Sequence, residues 1–298
     1  MKKDILSIKD LTREEIDWLI NRGLELKRMG RRNDYKPLSG YVLGLLFEKA
    51  STRTRVSFEV AMMRLGGNTI FLSAKETQLS RDETIEDTSR VLSRYLDCLV
   101  VRTYSQETLE TMAKYADIPV INALTDMYHP CQVLSDIMTV KEKKGRIDGL
   151  KIAWIGDGNN VANSWINLAK KMDFQLVLAC PKGCEPKEKF SDSKNIILVS
   201  DPKEAAKDAD VINTDVWVSM GEEKEAERKK KALRNYQVNK ELVRLAKPDV
   251  IVMHCLPAHR GEEITDEVMD GPNSVVFDQA ENKLYLHEAV LEMLLLNR

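Results

Sequence analysis

The 298-residue sequence has no long hydrophobic run, no paired-cysteine spacing and almost no net charge. Each absence removes a class of protein. No stretch approaches the ~20 continuous apolar residues of a transmembrane helix. Met1-Lys2-Lys3-Asp4 leads into an apolar pattern interrupted at once by Ser7, Lys9 and Asp10, which leaves no signal-peptide core. The five cysteines, Cys98, Cys131, Cys180, Cys184 and Cys255, are odd in number and scattered, so a disulfide framework is not predicted. A reducing cytoplasm fits them. Cys180 and Cys184, with Pro181 between, read as loop, and without Cys-x-x-Cys spacing no metal site is predicted. A formal net charge of -2 gives no general attraction to nucleic acid or to a membrane surface. Any anion bound here must be held by a local cluster of positive groups.

What remains is an ordinary globular composition, 43% hydrophobic and 31% charged. At ~100–200 residues per domain the length predicts two domains, each with a real core. Thr12-x-x-Glu15 is a capping box opening a first helix, with Ile16, Leu19, Ile20 and Leu24 at helical spacing. Strands and helices then alternate. Strands are predicted at Tyr41–Phe47, Thr69–Leu72, Cys98–Val101 and Pro119–Leu124. Helices are predicted from Val56 to the Gly66-Gly67 stop, over Thr84–Leu96 and Gln106–Tyr115, and over a long, increasingly basic Pro130–Lys144. Gly145 marks a boundary, giving domains 1–145 and 146–298. The second half restarts with strands at Lys151–Ile155, Gln175–Ala179, Ile196–Val199, Val211–Thr214, Val250–His254 and Val275–Phe277. It has a helix at Val161–Met172 and a terminal helix at Leu284–Leu295. The charge-dense Glu222–Lys231 reads as a solvated helix or loop. This alternation predicts an α/β protein whose two sheets are mostly parallel and covered by helices.

Ligands of open parallel sheets sit at the carboxyl ends of strands, so the residues just past each strand matter most. After Phe47 comes Ser51-Thr52-Arg53-Thr54-Arg55, then a helix. Hydroxyls at a helix start cap free backbone N–H groups or leave them to a bound anion, and Arg53 can clamp a phosphate through two N–H groups. Three hydroxyls interleaved with two arginines favour an anion grip over a plain cap. Arg102 ends another strand and can point at the same anion. His129 and Gln132, three apart at a helix start, can both hydrogen-bond a carbonyl, although His129 could equally only cap that helix. Gly156-Asp157-Gly158-Asn159-Asn160 comes after a strand, but the sixth position is Val161, so a dinucleotide fingerprint is incomplete and no nicotinamide cofactor is predicted. Asn160 suits a carboxylate or an amine. Asp215 at a strand end can pair with an ammonium or cap the next turn. His254 and Cys255, adjacent in a strand, should point to opposite faces rather than form a direct pair.

Four segments carry a resemblance. Ser51-Thr52-Arg53-Thr54-Arg55, His129-Pro130-Cys131-Gln132, Asp215-Val216-Trp217-Val218-Ser219-Met220-Gly221 and His254-Cys255-Leu256-Pro257-Ala258-His259-Arg260-Gly261 occur in that order. Together they resemble the ornithine-using members of the aspartate/ornithine carbamoyltransferase family over nearly the whole chain. The resemblance implies a carbamoyl phosphate domain, then an ornithine domain whose terminal helix packs back on the first. It implies transfer of a carbamoyl group from carbamoyl phosphate to the δ-amine of L-ornithine, with neither metal nor organic cofactor. Ser51, Thr52, Arg53 and Thr54 would hold the phosphate. Arg102, His129 and Gln132 would hold phosphate and polarise the carbamoyl carbonyl. Asn160, Asp215, Ser219 and Met220 would hold ornithine, with Cys255 and Leu256 where the substrates meet. Gln78 matches a position that reaches into a neighbouring subunit's site, which implies a homotrimer or a multiple of one. Lys283 stands where the family usually has arginine after Ala-Glu-Asn; it keeps the charge but loses the two-pronged fork. A carbamoyltransferase for another amine, such as putrescine, and a non-catalytic binding protein of the same fold are the competing readings.

Overall fold

The computed structural model describes residues 3–30, 34–73 and 83–296. Their chain order is α1 (Arg13–Met29), β1 (Val42–Phe47), α2 (Arg53–Arg64), β2 (Asn68–Ser73), α3 (Ile85–Leu92), β3 (Cys98–Arg102), α4 (Gln106–Tyr115), β4 (Val120–Leu124) and α5 (Pro130–Lys144). Next come β5 (Lys151–Ile155), α6 (Asn160–Ala169), β6 (Gln175–Ala179), β7 (Ile196–Val199), α7 (Pro202–Ala206), β8 (Val211–Thr214), α8 (Ala226–Leu233), α9 (Lys240–Val243), β9 (Ile251–His254), α10 (Asp266–Met269) and α11 (Val276–Leu296). The chain divides into two units, Met1–Met138 with Glu281–Arg298, and Thr139–Ala280.

The first unit holds a sheet in the order β2-β1-β3-β4, all parallel. β1, β3 and β4 are buried apolar runs, as parallel strands covered on both faces must be, whereas the edge strand β2 is partly exposed. Strand order reverses between β1 and β3, where register pairs Phe47 with Arg102 and Arg102 with Leu124. The carboxyl ends of three neighbouring strands are therefore level. Thr12 caps α1: its hydroxyl accepts from Glu15 N at 3.2 Å while the Glu15 carboxylate accepts from Thr12 N at 2.8 Å. Ile16, Leu19, Ile20 and Leu26 of α1 are buried. The final stretch of α11 belongs to this unit. Glu292 accepts from Arg22 of α1 at 2.6 Å, Glu288 pairs with Arg64 of α2 at 3.1 Å, and the His287 ring stacks on Phe58 at 3.6 Å.

The second unit holds the parallel sheet β7-β6-β5-β8-β9, with its reversal between β5 and β8. Trp154 and Trp165 are fully buried; burial of each large side chain contributes ~1.5–3 kcal/mol. Two sequence expectations are corrected. Val275–Phe277 is not a strand: Ser274 makes a single bridge to Val252, and Val276 opens α11. The terminal helix therefore starts at Val276 instead of near Leu284. The dense charge run forms α8 and the short turn before it. Among the described residues no helix is long and apolar enough to cross a membrane.

Candidate active site

The turn after β1 reaches α2 through Thr52, whose backbone is already helical and whose side chain makes no capping bond. A plain cap would use that hydroxyl; here the helix start keeps its N–H groups for another partner. Thr54 is buried, and its hydroxyl oxygen accepts from Lys283 Nζ at 2.9 Å. Arg55 turns away, donating to Glu59 at 2.9 Å and lying over the Phe71 ring. Half-buried Arg53 makes no hydrogen bond or ion pair among the described residues, which suits a side chain waiting for an anion.

Arg102 ends β3 and is buried. His129 precedes α5, where its carbonyl accepts from Gln132 N at 3.2 Å. Its buried imidazole is held neutral, far below the ordinary histidine range, first by loss of solvent and then by the charges of Lys283 and Arg102. A neutral ring can offer an N–H to a carbonyl without becoming an acid. Gln132 accepts from Lys283 at 2.9 Å and donates to Asp136 at 2.7 Å. Burial pushes the Cys131 thiol up to about 12, so it serves as packing. Ser51, Thr52, Arg53, Thr54, Arg102, His129, Gln132 and Lys283 thus all lie in the first unit, around level strand ends. Gln78 lies outside the described residues.

In the second unit Asp215 comes directly after β8, whose Thr214 pairs in register with His254 of β9. That register sets Asp215 beside Cys255, and the thiol donates to Asp215 Oδ1 at 3.0 Å. Asn159 Nδ2 donates to Asp215 Oδ2 at 2.7 Å, and Val216 N donates to Oδ1 at 2.8 Å. Asp215 therefore both caps its own turn and gathers side chains. Asn159 also caps α6, accepting from Val161 N and Ala162 N, so Asn160 opens that helix. Ser219 N donates to Glu222 at 3.2 Å, and Met220 is exposed.

The expected separation of His254 and Cys255 is corrected. The strand stops at His254, and donor atoms of Asp215, His254 and Cys255 lie within 4.8 Å of one another. Leu256 then takes a positive φ of 60° and donates its N–H to His254 Nδ1 at 2.9 Å. That bond leaves the proton on Nε2, which faces Glu263 at 2.9 Å. Both ring nitrogens are thus engaged, and His254 could ligate a metal only by giving one up. Gly158 approaches backbone closely, and the neighbour is the protein's own Pro186, whose N lies 2.2 Å from where a Cβ would stand.

Sequence reasoning missed Asp136, Asp157, Lys229 and Glu263. Lys229 of α8 donates to Asp157 at 2.8 Å and to Glu222 at 2.6 Å. The spacing Gln132-x-x-x-Asp136 puts an amide and a carboxylate on one helix face and was the available signal for the first of them. Asp157 and Lys229 pair across 72 residues, which spacing does not reveal, and Glu263 meets His254 across an irregular turn with no helical or strand period.

Residues 3–142 match the aspartate/ornithine carbamoyltransferase carbamoyl-P binding domain, and residues 148–294 match the Asp/Orn binding domain. The chain is 54% identical to the ornithine carbamoyltransferase of Desulfotalea psychrophila, over 99% of this chain and 100% of that one. It is 53% identical to the enzyme of that name from Methanosarcina acetivorans, over 98% of each. Among solved structures, ornithine carbamoyltransferase from Pyrococcus furiosus superposes with a TM-score of 0.95 at 50% identity, covering 100% of this chain and 98% of that one.

Proposed function

From a chain that belongs to the aspartate/ornithine carbamoyltransferase family, we infer the reaction and then the part each half-site plays in it. The protein transfers the carbamoyl group of carbamoyl phosphate to the δ-amine of ornithine, giving citrulline and phosphate. We propose that the first unit's strand-end cluster takes carbamoyl phosphate. Ser51, Thr52, Arg53 and Thr54 grip the phosphate, while Arg102, neutral His129 and Gln132 address the carbamoyl group. The second unit's cluster takes ornithine: Asn160, Ser219 and Met220 hold its amino-acid end and Asp215 with Cys255 orients the δ-amine. Leu256, beside Cys255, contributes to the same cluster.

Chemistry sets the demands. A free alkylamine has a pKa of about 10.4 and is protonated at neutral pH, so the site must select or generate its neutral form. Asp215, bonded to Cys255 and Asn159, can accept a proton-bearing N–H and aim the lone pair at the carbonyl carbon. As the tetrahedral centre forms, negative charge grows on the carbonyl oxygen and then on the departing phosphate. Fixed positive groups stabilise both stages, and holding two substrates in line supplies much of the remaining rate.

The observation that carries the assignment is the level register Phe47–Arg102–Leu124, which sets the strand ends before the Ser51–Arg55 turn, at Arg102 and before His129 side by side. Arg53→Ala should lower kcat/KM for carbamoyl phosphate by about 10²–10³, comparable to loss of one transition-state donor. Citrulline formation with ornithine, run beside putrescine, reads this directly; near-normal turnover at limiting carbamoyl phosphate would sink the role.

We further propose a homotrimer, or a multiple of one, in which Gln78 enters a neighbouring subunit's site, and a cytoplasmic location. The sequence resemblance at Gln78 supports the first, and scattered, unpaired cysteines support the second. Mixing inactive Arg53→Ala and Gln78→Ala chains should restore partial activity if sites are shared.

A further inference from the structure

Gln132 is held at both ends of its amide. Lys283 Nζ lies 2.9 Å from Oε1, and Nε2 lies 2.7 Å from Asp136 Oδ1. All three side chains are buried, with Asp136 fully so. The amide oxygen can only accept and the amide nitrogen can only donate; an ammonium only donates and a carboxylate only accepts. Neighbours of opposite character therefore allow a single orientation. Turning the amide over would set its N–H groups against the ammonium and its oxygen against the carboxylate, losing both bonds at once. Lys283 also donates to Thr54 at 2.9 Å. The amide oxygen is thus fixed on the side of the Thr54 turn, with a second lone pair still available there.

We propose that Asp136 is a positioning residue for substrate discrimination: it locks Gln132 with its oxygen turned toward the Thr54–Lys283 corner, where that oxygen accepts an N–H of the carbamoyl group. This rests on the assignment of carbamoyl phosphate to the first unit. The carbamoyl nitrogen is the feature that separates this substrate from acetyl phosphate, which carries a methyl group in its place. A fixed acceptor rewards the amine and leaves the methyl facing a desolvated oxygen. A free-turning amide could offer either end and would discriminate less.

The experiment compares KM for carbamoyl phosphate with the inhibition constant of acetyl phosphate as a competitor, in wild type, Asp136→Asn, Gln132→Met and the double variant. Asp136→Asn keeps the volume but supplies both a donor and an acceptor, so it no longer dictates the amide's orientation. Its ratio of acetyl phosphate inhibition constant to carbamoyl phosphate KM should fall by about tenfold, the equivalent of one hydrogen bond. Gln132→Met should lose the same discrimination, and adding Asp136→Asn to it should change the ratio no further. Constants that rise by a common factor, or an unchanged ratio in Asp136→Asn, overturn the proposal. If Asp136→Asn does not fold, an unchanged ratio in Gln132→Met overturns it alone. Failure of the wild type to form citrulline from carbamoyl phosphate and ornithine would instead refute the underlying assignment, so the two failures are told apart.

Discussion

Each unit ties a strand-end turn to a helix with one buried lysine, and the two lysines are treated in opposite ways. In the first unit Lys283 donates to a hydroxyl and an amide oxygen, Thr54 and Gln132. Both of those acceptors are neutral. Its charge is felt nearby: it helps hold both His129 and His287 in their neutral forms. In the second unit Lys229 donates to two carboxylates, Asp157 and Glu222. Burial works against its charge, but the two carboxylates outweigh that and leave it more firmly protonated than usual. One device thus serves two electrostatic ends. The first of these lysines bonds neutral groups, which fits the anion site proposed there; the second is held by carboxylates, which fits the proposal that Asp215 meets the amine.

The largest expected effect tests that division itself. Asp215→Ala should lower kcat/KM for ornithine by about 10³ while changing KM for carbamoyl phosphate little, the mirror image of Arg53→Ala. Equal damage to both substrates would break the comparison. Next, the two lysines should fail differently. Lys229→Met strands Asp157 in a buried setting and should cost about 3 kcal/mol of stability in denaturant titration, with half-exposed Glu222 adding little. Lys283→Met removes the donor from two neutral oxygens, on Thr54 and Gln132, and should cost about 1–2 kcal/mol, yet raise KM for carbamoyl phosphate about tenfold, the worth of roughly 1.4 kcal/mol. Reversed rankings would show that Lys283 is chiefly structural.

The smallest effect sharpens the electrostatics of the first unit. Burial and then Lys283 hold His287 well below its ordinary value, so the folded chain keeps it neutral. The unfolded chain takes up that proton below about pH 6.5. His287 therefore contributes stability that is present above that pH and is lost as pH falls through it. Glu288 runs the other way, because burial raises it from 4.5 to about 7 and its contribution is lost as pH rises toward 7. Wild-type melting curves mix the two. His287→Phe, which preserves the stack on Phe58, should flatten the acid limb between pH 6.5 and 5 by up to roughly 1.4 kcal/mol per pH unit. A melting difference from wild type that does not vary with pH would refute a neutral His287.

Much of the fold and of the site was legible in the sequence. Parallel strands covered on both faces read as apolar runs, and the residues after them announce the ligand side, so the Ser51–Arg55 turn and Arg102 stood out. The failures have physical causes. Val275–Phe277 is β-branched and short, and a run of that length cannot be told from a first helical turn by periodicity. Alternation between His254 and Cys255 presumed that the strand continued, whereas Leu256 folds the chain back onto the His254 ring. Asp136 is a carboxylate in a helix, a position that pattern reading assigns to solvent; only packing shows it fully buried beneath Gln132. Lys229 sits in a charge run that reads as solvated and is nevertheless buried.

The course of α11 bears on how the protein is made. Lys283, His287, Glu288 and Glu292 belong to the first unit but are translated after the whole second unit. Until they emerge, Arg22 lacks Glu292, Arg64 lacks Glu288, Phe58 lacks its stacking partner and Thr54 lacks the Lys283 donor. The amino-terminal half therefore cannot mature as it is synthesised, ahead of the other. It waits through translation of the entire second unit for these residues of α11.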